Sequence, residues 1–170
     1  MTIRFPEGCN IVPAFAAAIA DMDTNQTGDY ISLKNYGRVG VLFISAAGTA
    51  GDDPNLTLYE SKDVSGTDAQ VLAAIDTYWI KQAATSLNAT GTFTKTTQTA
   101  ASTIGFNATS AEQVVMAWFE VDAEQLSAGF DCIRVDADLD ASGGAQYGTL
   151  LYFLLDPSYP QETAISAIAD

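Results

Sequence analysis

Histidine is absent from the 170 residues, and with it any Ser-His-Asp or Cys-His arrangement for nucleophilic catalysis. Basic residues are scarce as well. Seven Lys and Arg stand against 21 Asp and Glu, a formal charge of −14, and from Thr96 onward eleven acids are accompanied by one base, Arg134. Phosphate contact needs a basic footprint, so nucleic acid is excluded as a partner, and an anionic membrane would repel the same surface. The charge suits solubility, docking on a basic or neutral protein face, or a saline environment. The two cysteines, Cys9 and Cys132, have no CxxC spacing: they make no zinc site, and a single pair does not define a disulfide. Cys132, in the run 130–135, reads as a small buried hydrophobe, whereas Cys9 is open to exposure. Neither GxGxxG nor GxxxxGK[ST] occurs, so nucleotide binding has no motif and no cofactor is expected. No apolar run approaches the roughly 18 residues of a membrane helix. Residues 11–20 (IVPAFAAAIA) end like a secretory cleavage site, but Glu7 offsets Arg4 and Pro13 interrupts the stretch. The chain is expected to be soluble and unprocessed.

With 48% apolar and 16% charged residues, the chain is too hydrophobic to be disordered as a whole. Its length suits one domain burying about 70% of its unfolded surface. Residues 39–45 (VGVLFIS), 113–121 (QVVMAWFEV) and 147–155 (YGTLLYFLL) are apolar at both parities, as strands covered on both faces are. Residues 55–62 and 130–136 alternate. The turn-rich loop 48–54 predicts a hairpin between 39–45 and 55–62. Residues 71–81 read mainly as strand. Residues 85–110 hold nine Thr and three Ser, a composition for a sheet edge or a wet interface. One helical turn is expected over 122–126, with Asp122 as N-cap and Gln125 completing a capping-box pattern. Short strands and the lack of a long amphipathic helix predict an all-β fold: an antiparallel β-sandwich or barrel, jelly-roll-like, with extended terminal arms. The division is an N-terminal extended segment (1–29), a β-domain (30–155) and a C-terminal arm (156–170). Pro157 and Pro160 are expected to end the strand 150–155 and release that arm, whose Tyr159, Ile165 and Ile168 are candidate contacts with a neighbour. A frayed terminus is the alternative.

Candidate chemistry rests on carboxylates. Asp21, Asp23, Asn25 and Asp29 alternate like the ligands of a calcium loop, and Asp136, Asp138 and Asp140 stand at i, i+2 and i+4. In both, the EF-hand glycine and bidentate glutamate are missing, and a solvated loop is the preferred reading. Glu112, Glu120, Asp122 and Glu124 could supply a glycosidase pair on paper, as any chain this acidic can; no catalytic residue is expected. Trp79 and Trp118 lie in apolar strands and read as core rather than as sugar platforms. Four Asn-x-Thr sequons, at Asn25, Asn55, Asn88 and Asn107, read as surface loops.

An ordered series of runs carries a family resemblance: Asp29-Tyr-Ile-Ser-Leu-Lys-Asn-Tyr36, Lys62-Asp-Val-Ser-Gly-Thr67, and an ending from Phe130-Asp-Cys-Ile133 through Pro157-Ser-Tyr-Pro160 to Ala164-Ile-Ser-Ala-Ile168. In these the chain resembles small structural proteins encoded in the head-gene region of tailed bacteriophages and prophages. The resemblance implies a capsid decoration, or cement, protein on the virion exterior, made in the host cytoplasm. Its partners would be the major capsid protein and sister subunits in a homotrimer, with no nucleic acid and no membrane. Thr92, Thr94 and Thr96 of the Thr-rich strand are candidate intersubunit residues. Thr163-Ala164-Ile165 departs from the more proline-rich tail expected in such proteins. A head–tail or tail module is the alternative role, followed by a carbohydrate-binding or hydrolytic domain.

Overall fold

The computed structural model describes residues 8–22, 24–47, 54–81, 92–106, 114–139 and 146–158. Twelve strands follow in chain order: β1 (Asn10–Pro13), β2 (Ala20–Asp21), β3 (Ile31–Ser32), β4 (Tyr36–Ser45), β5 (Pro54–Ser61), β6 (Gln70–Val71), β7 (Ile75–Lys81), β8 (Thr94–Ala101), β9 (Thr103–Gly105), β10 (Val115–Asp122), β11 (Cys132–Leu139) and β12 (Tyr147–Pro157). They form two antiparallel sheets. The larger runs β1-β12-β4-β10-β7-β8, with β2 also on β12; the smaller runs β3-β11-β5-β6, with β9 also on β5. The fold is a β-sandwich and not a closed barrel.

The core is the space between the sheets. Val39, Val41 and Phe43 of β4, Ala117, Phe119 and Val121 of β10, and Leu150 and Leu154 of β12 point inward and are fully buried. They meet Leu56, Leu58, Ile104, Ile133 and Val135 of the smaller sheet, also fully buried. Phe43 stacks on Phe106 with centroids 5.7 Å apart. The signal-like run 11–20 belongs to this fold: Ala14 and Phe15 are buried in the core, and Asn10–Pro13 pairs along β12.

Four expectations are corrected. β4 and β5 are not a hairpin, because both hydrogen-bonding edges of β4 are taken, by β10 and β12, and β5 joins the other sheet. β12 runs past Leu155 to Pro157, which pairs with Tyr36; a missing N–H costs nothing at the last position of a strand. Cys9 is buried, neither it nor Cys132 forms a disulfide, and burial raises the Cys9 thiol pKa. Asn55 lies within β5 rather than in a loop. The helical turn is seen as a single 3-10 turn, Ala123–Gln125, with the Asp122 N–H donating to Gln125 Oε1 at 2.8 Å.

Three of the runs that carry the resemblance meet on the smaller sheet. Ile31 and Ser32 pair with Ile133 and Cys132. Asp63 organises the 62–67 loop by accepting from the Thr67 hydroxyl and from the Thr67 and Ser65 N–H groups at 3.0 and 2.9 Å; the Thr67 hydroxyl first, then these N–H groups, hold its carboxyl below the usual range. Gly66 takes φ +83° in that loop, and a Cβ there would come within 2.9 Å of the Tyr30 ring. The Arg134 guanidinium lies between the Tyr30 and Tyr59 rings, 4.8 and 4.7 Å from their centroids, and pairs with Asp136 at 2.9 Å. These residues hold the sheet closed.

Tyr152 ties one sheet to the other. Fully buried on β12, its hydroxyl oxygen accepts from the Val135 N–H of β11 at 2.8 Å, and its O–H points to the Asp29 carbonyl at 3.4 Å. Burial pushes the phenol pKa well above its ordinary value. A raised folded-state pKa contributes stability that is full below the unfolded value of about 10 and is lost as pH rises above it. Tyr152→Phe is therefore expected to cost about 1–3 kcal/mol by stranding the Val135 N–H. It is also expected to weaken the alkaline loss of stability; urea denaturation of both proteins from pH 7 to 11 checks both effects.

Candidate interaction face

Strand register sets the outer face of the larger sheet. Alternation forces the residues between the buried ones outward, and in β4, β10 and β12 most of these are also apolar. One row crosses the whole sheet: Pro13, Leu151, Leu42, Trp118, Trp79 and Lys95. A neighbouring row holds Thr149, Ile44, Met116 and Lys81, and the other holds Ile11, Phe153, Gly40 and Glu120. Trp79 and Trp118 are half-buried here, not in the core; the apolar composition of their strands reflects an apolar outer face, not cover on both sides.

Trp118 is fixed from three directions. Its ring lies over Gly40, where a Cβ would come within 2.2 Å of it. Phe153 meets it edge-on at 5.4 Å, and its Nε1–H donates to Glu120 Oε1 at 3.2 Å. Glu120 is in turn held by Arg38 at 3.0 Å, and Arg38 also pairs with Asp156 at 3.0 Å. These ion pairs are partly exposed and add little stability; their effect is to orient Glu120 under the indole. Beside Trp118 the face sinks into a hollow of about 480 Å³ lined by Leu42, Trp79, Phe93, Met116 and Trp118. Phe93, 45% exposed, walls its far side. The Lys95 ammonium lies 5.9 Å from the Trp79 ring centroid.

The residues expected to act lie elsewhere. β8 is the last strand of its sheet; Thr94 and Thr96 pair with the inward-facing Ile80 and Tyr78, so they occupy the inner side of that edge, with Thr92 exposed just before it. Asp21 Oδ1 accepts from the Gln146 N–H at 3.2 Å, and Asn25 and Asp29 are exposed. Asp136 is buried, with Oδ2 on Arg134 and Oδ1 accepting from the Gly28 N–H at 3.0 Å. Among the described residues no three His, Cys, Asp or Glu converge on a metal site. Asp23, Asp140, Glu112, Tyr159, Ile165 and Ile168 lie outside the described residues, as does the side chain of Asp138. Asp122 and Glu124 border a second hollow, of about 680 Å³, with Gly37, Ala123 and Gln125. Among the described residues no helix is long and apolar enough to cross a membrane.

No protein-family model matches the sequence, and no curated protein matches it. The fold is similar to that of the SPBc2 prophage-derived protein YomS, with a TM-score of 0.44 and 8% identity over 87% of this chain and 93% of that one. It is similar to a chain of the Triatoma virus empty capsid, with a TM-score of 0.41 and 8% identity over 96% and 97% of the two chains. It is also similar to an Arthrobacter globiformis isomalto-dextranase complexed with panose, at 0.37 and 13% identity, over 86% of this chain but 23% of the enzyme. Likenesses of this degree assign no role, which is left to the chain's own surfaces.

Gly40→Ala tests the arrangement of the face. The added methyl must displace the indole, so the variant is expected to fold with a loss of about 1–3 kcal/mol and an altered tryptophan near-ultraviolet circular dichroism band. An unchanged band would mean that Gly40 does not seat Trp118.

Proposed function

We propose that this protein is a non-enzymatic virion structural protein that decorates the outer shell of a tailed-phage capsid and stabilises it by binding the major capsid protein lattice. The observation that carries this reading is the apolar outer face of the larger sheet, which runs in register across its strands from Pro13 to Trp79. A broad apolar face on a rigid sandwich suits contact with another protein. The ordered resemblance to phage head-region proteins supports the same role. The acidic body suits a basic or neutral shell surface, and a molecule that binds only the assembled shell stabilises it by mass action. Location on the capsid exterior, a head–tail or tail position being the alternative, and a homotrimeric state belong to the same proposal.

Particles made without the protein are expected to assemble but to release DNA at lower temperature, or after milder osmotic shock, than complete particles. Cryo-electron microscopy of complete particles should place the protein on the capsid lattice. Equal endurance with density only at the tail would replace this reading with a tail module.

One observation favours a second reading. Two half-exposed tryptophans side by side are the kind of surface on which sugar rings stack. The hollow beside them, however, is lined almost wholly by carbon, and the Trp118 N–H is engaged by Glu120, so it offers little for sugar hydroxyls to bond. A glycan array is expected to show no binding; binding lost in Trp79→Ala would favour the carbohydrate reading.

A further inference from the structure

We propose that the hollow formed by Leu42, Trp79, Phe93, Met116 and Trp118 is the receptor for the C-terminal segment of a second copy of this chain, with Ile165 and Ile168 as its anchors. The lining is apolar, so the occupant must be apolar at its point of entry. Two lysines flank the hollow: Lys81 beside Met116 and Lys95 beside Trp79. Among the described residues neither forms an ion pair, nor does the exposed Lys34, whereas Arg38, Lys62 and Arg134 do. Two cations at one apolar hollow, without a carboxylate partner among the described residues, call for an acidic occupant. Residues 161–170 (QETAISAIAD) have that composition: two isoleucines three apart, with Glu162 before them and Asp170 after them.

Reach selects the second copy over the same one. β12 crosses the Trp118 row at Leu151 and then runs away from it to Pro157, opposite Tyr36. From Ser158 back to the hollow is roughly 25 Å, counting seven residues along the strands and two strand spacings across them. The seven residues from Ser158 to Ile165 span roughly 25 Å when fully extended, so Ile165 meets its own hollow only with every residue of the segment stretched taut. Seating both isoleucines in a neighbour's hollow needs no such stretch. Repeated around a ring, this head-to-tail contact closes a symmetric oligomer. The rest of the face, on β1 and β12, stays open for a shell. The inference goes beyond the decoration reading and holds whether or not the oligomer sits on a capsid.

The test uses the full chain. Light scattering is expected to give a mass that is a multiple of 17.9 kDa, falling to the monomer value in Ile165→Glu/Ile168→Glu and in Lys81→Glu/Lys95→Glu. Adding Glu162→Lys/Asp170→Lys to the lysine variant is expected to restore the oligomer, an outcome that misfolding would not produce. Oxidation of Phe93→Cys/Ile168→Cys is expected to give covalent oligomers on a denaturing gel. A monomeric full chain, an oligomer unchanged by the isoleucine variant, or a purely intrachain disulfide would each overturn the proposal.

Discussion

Both edges of β4 are occupied, and that constraint governs the rest of the molecule. With β12 on one side and β10 on the other, all in antiparallel register, the inward parity of three long strands is fixed along its length. A slip by one residue would exchange Val41 and Phe43 for Gly40 and Leu42 in the core, trading full side chains for a glycine. The other parity must then face outward. Because it is largely apolar too, the sheet cannot avoid a hydrophobic exterior, and the apolar outer face is a by-product of how the centre is paired.

The two sheets divide the labour. On the smaller one, the recurrent runs around Tyr30, Gly66 and Cys132 go into closing the sheet, with Arg134 between two tyrosines and Asp63 fastening its loop. On the larger one, polar groups are spent on placing a single ring: Asp156, Arg38 and Glu120 form a chain that ends at the Trp118 indole. A likeness based on the first set of residues speaks for shared architecture, while the apolar outer face lies on the other sheet.

Strand identity was legible where composition was unambiguous. Val39 to Ser45 and Tyr147 to Leu155 fall inside observed strands, the Thr-rich stretch supplies the edge strand β8, and the Asp122/Gln125 spacing marks the 3-10 turn at Ala123–Gln125. What periodicity leaves out is pairing. It cannot tell that β4 has no edge left for β5, and it cannot separate a strand covered on both sides from one whose second apolar side is half open. For that reason Trp79 and Trp118 read as core. Gly40 opposite Glu120, in the row next to Trp118, was the available clue: a gap the size of an indole beside a carboxylate able to hold its N–H.

The two thiols have a further consequence. Cys9 and Cys132 are both buried and neither forms a disulfide, so no covalent link between distant parts of the chain takes part in holding the sandwich together. The fold then owes nothing to the redox potential of its surroundings. A protein built this way has no disulfide to form or to lose between a reducing cell interior and an oxidising medium.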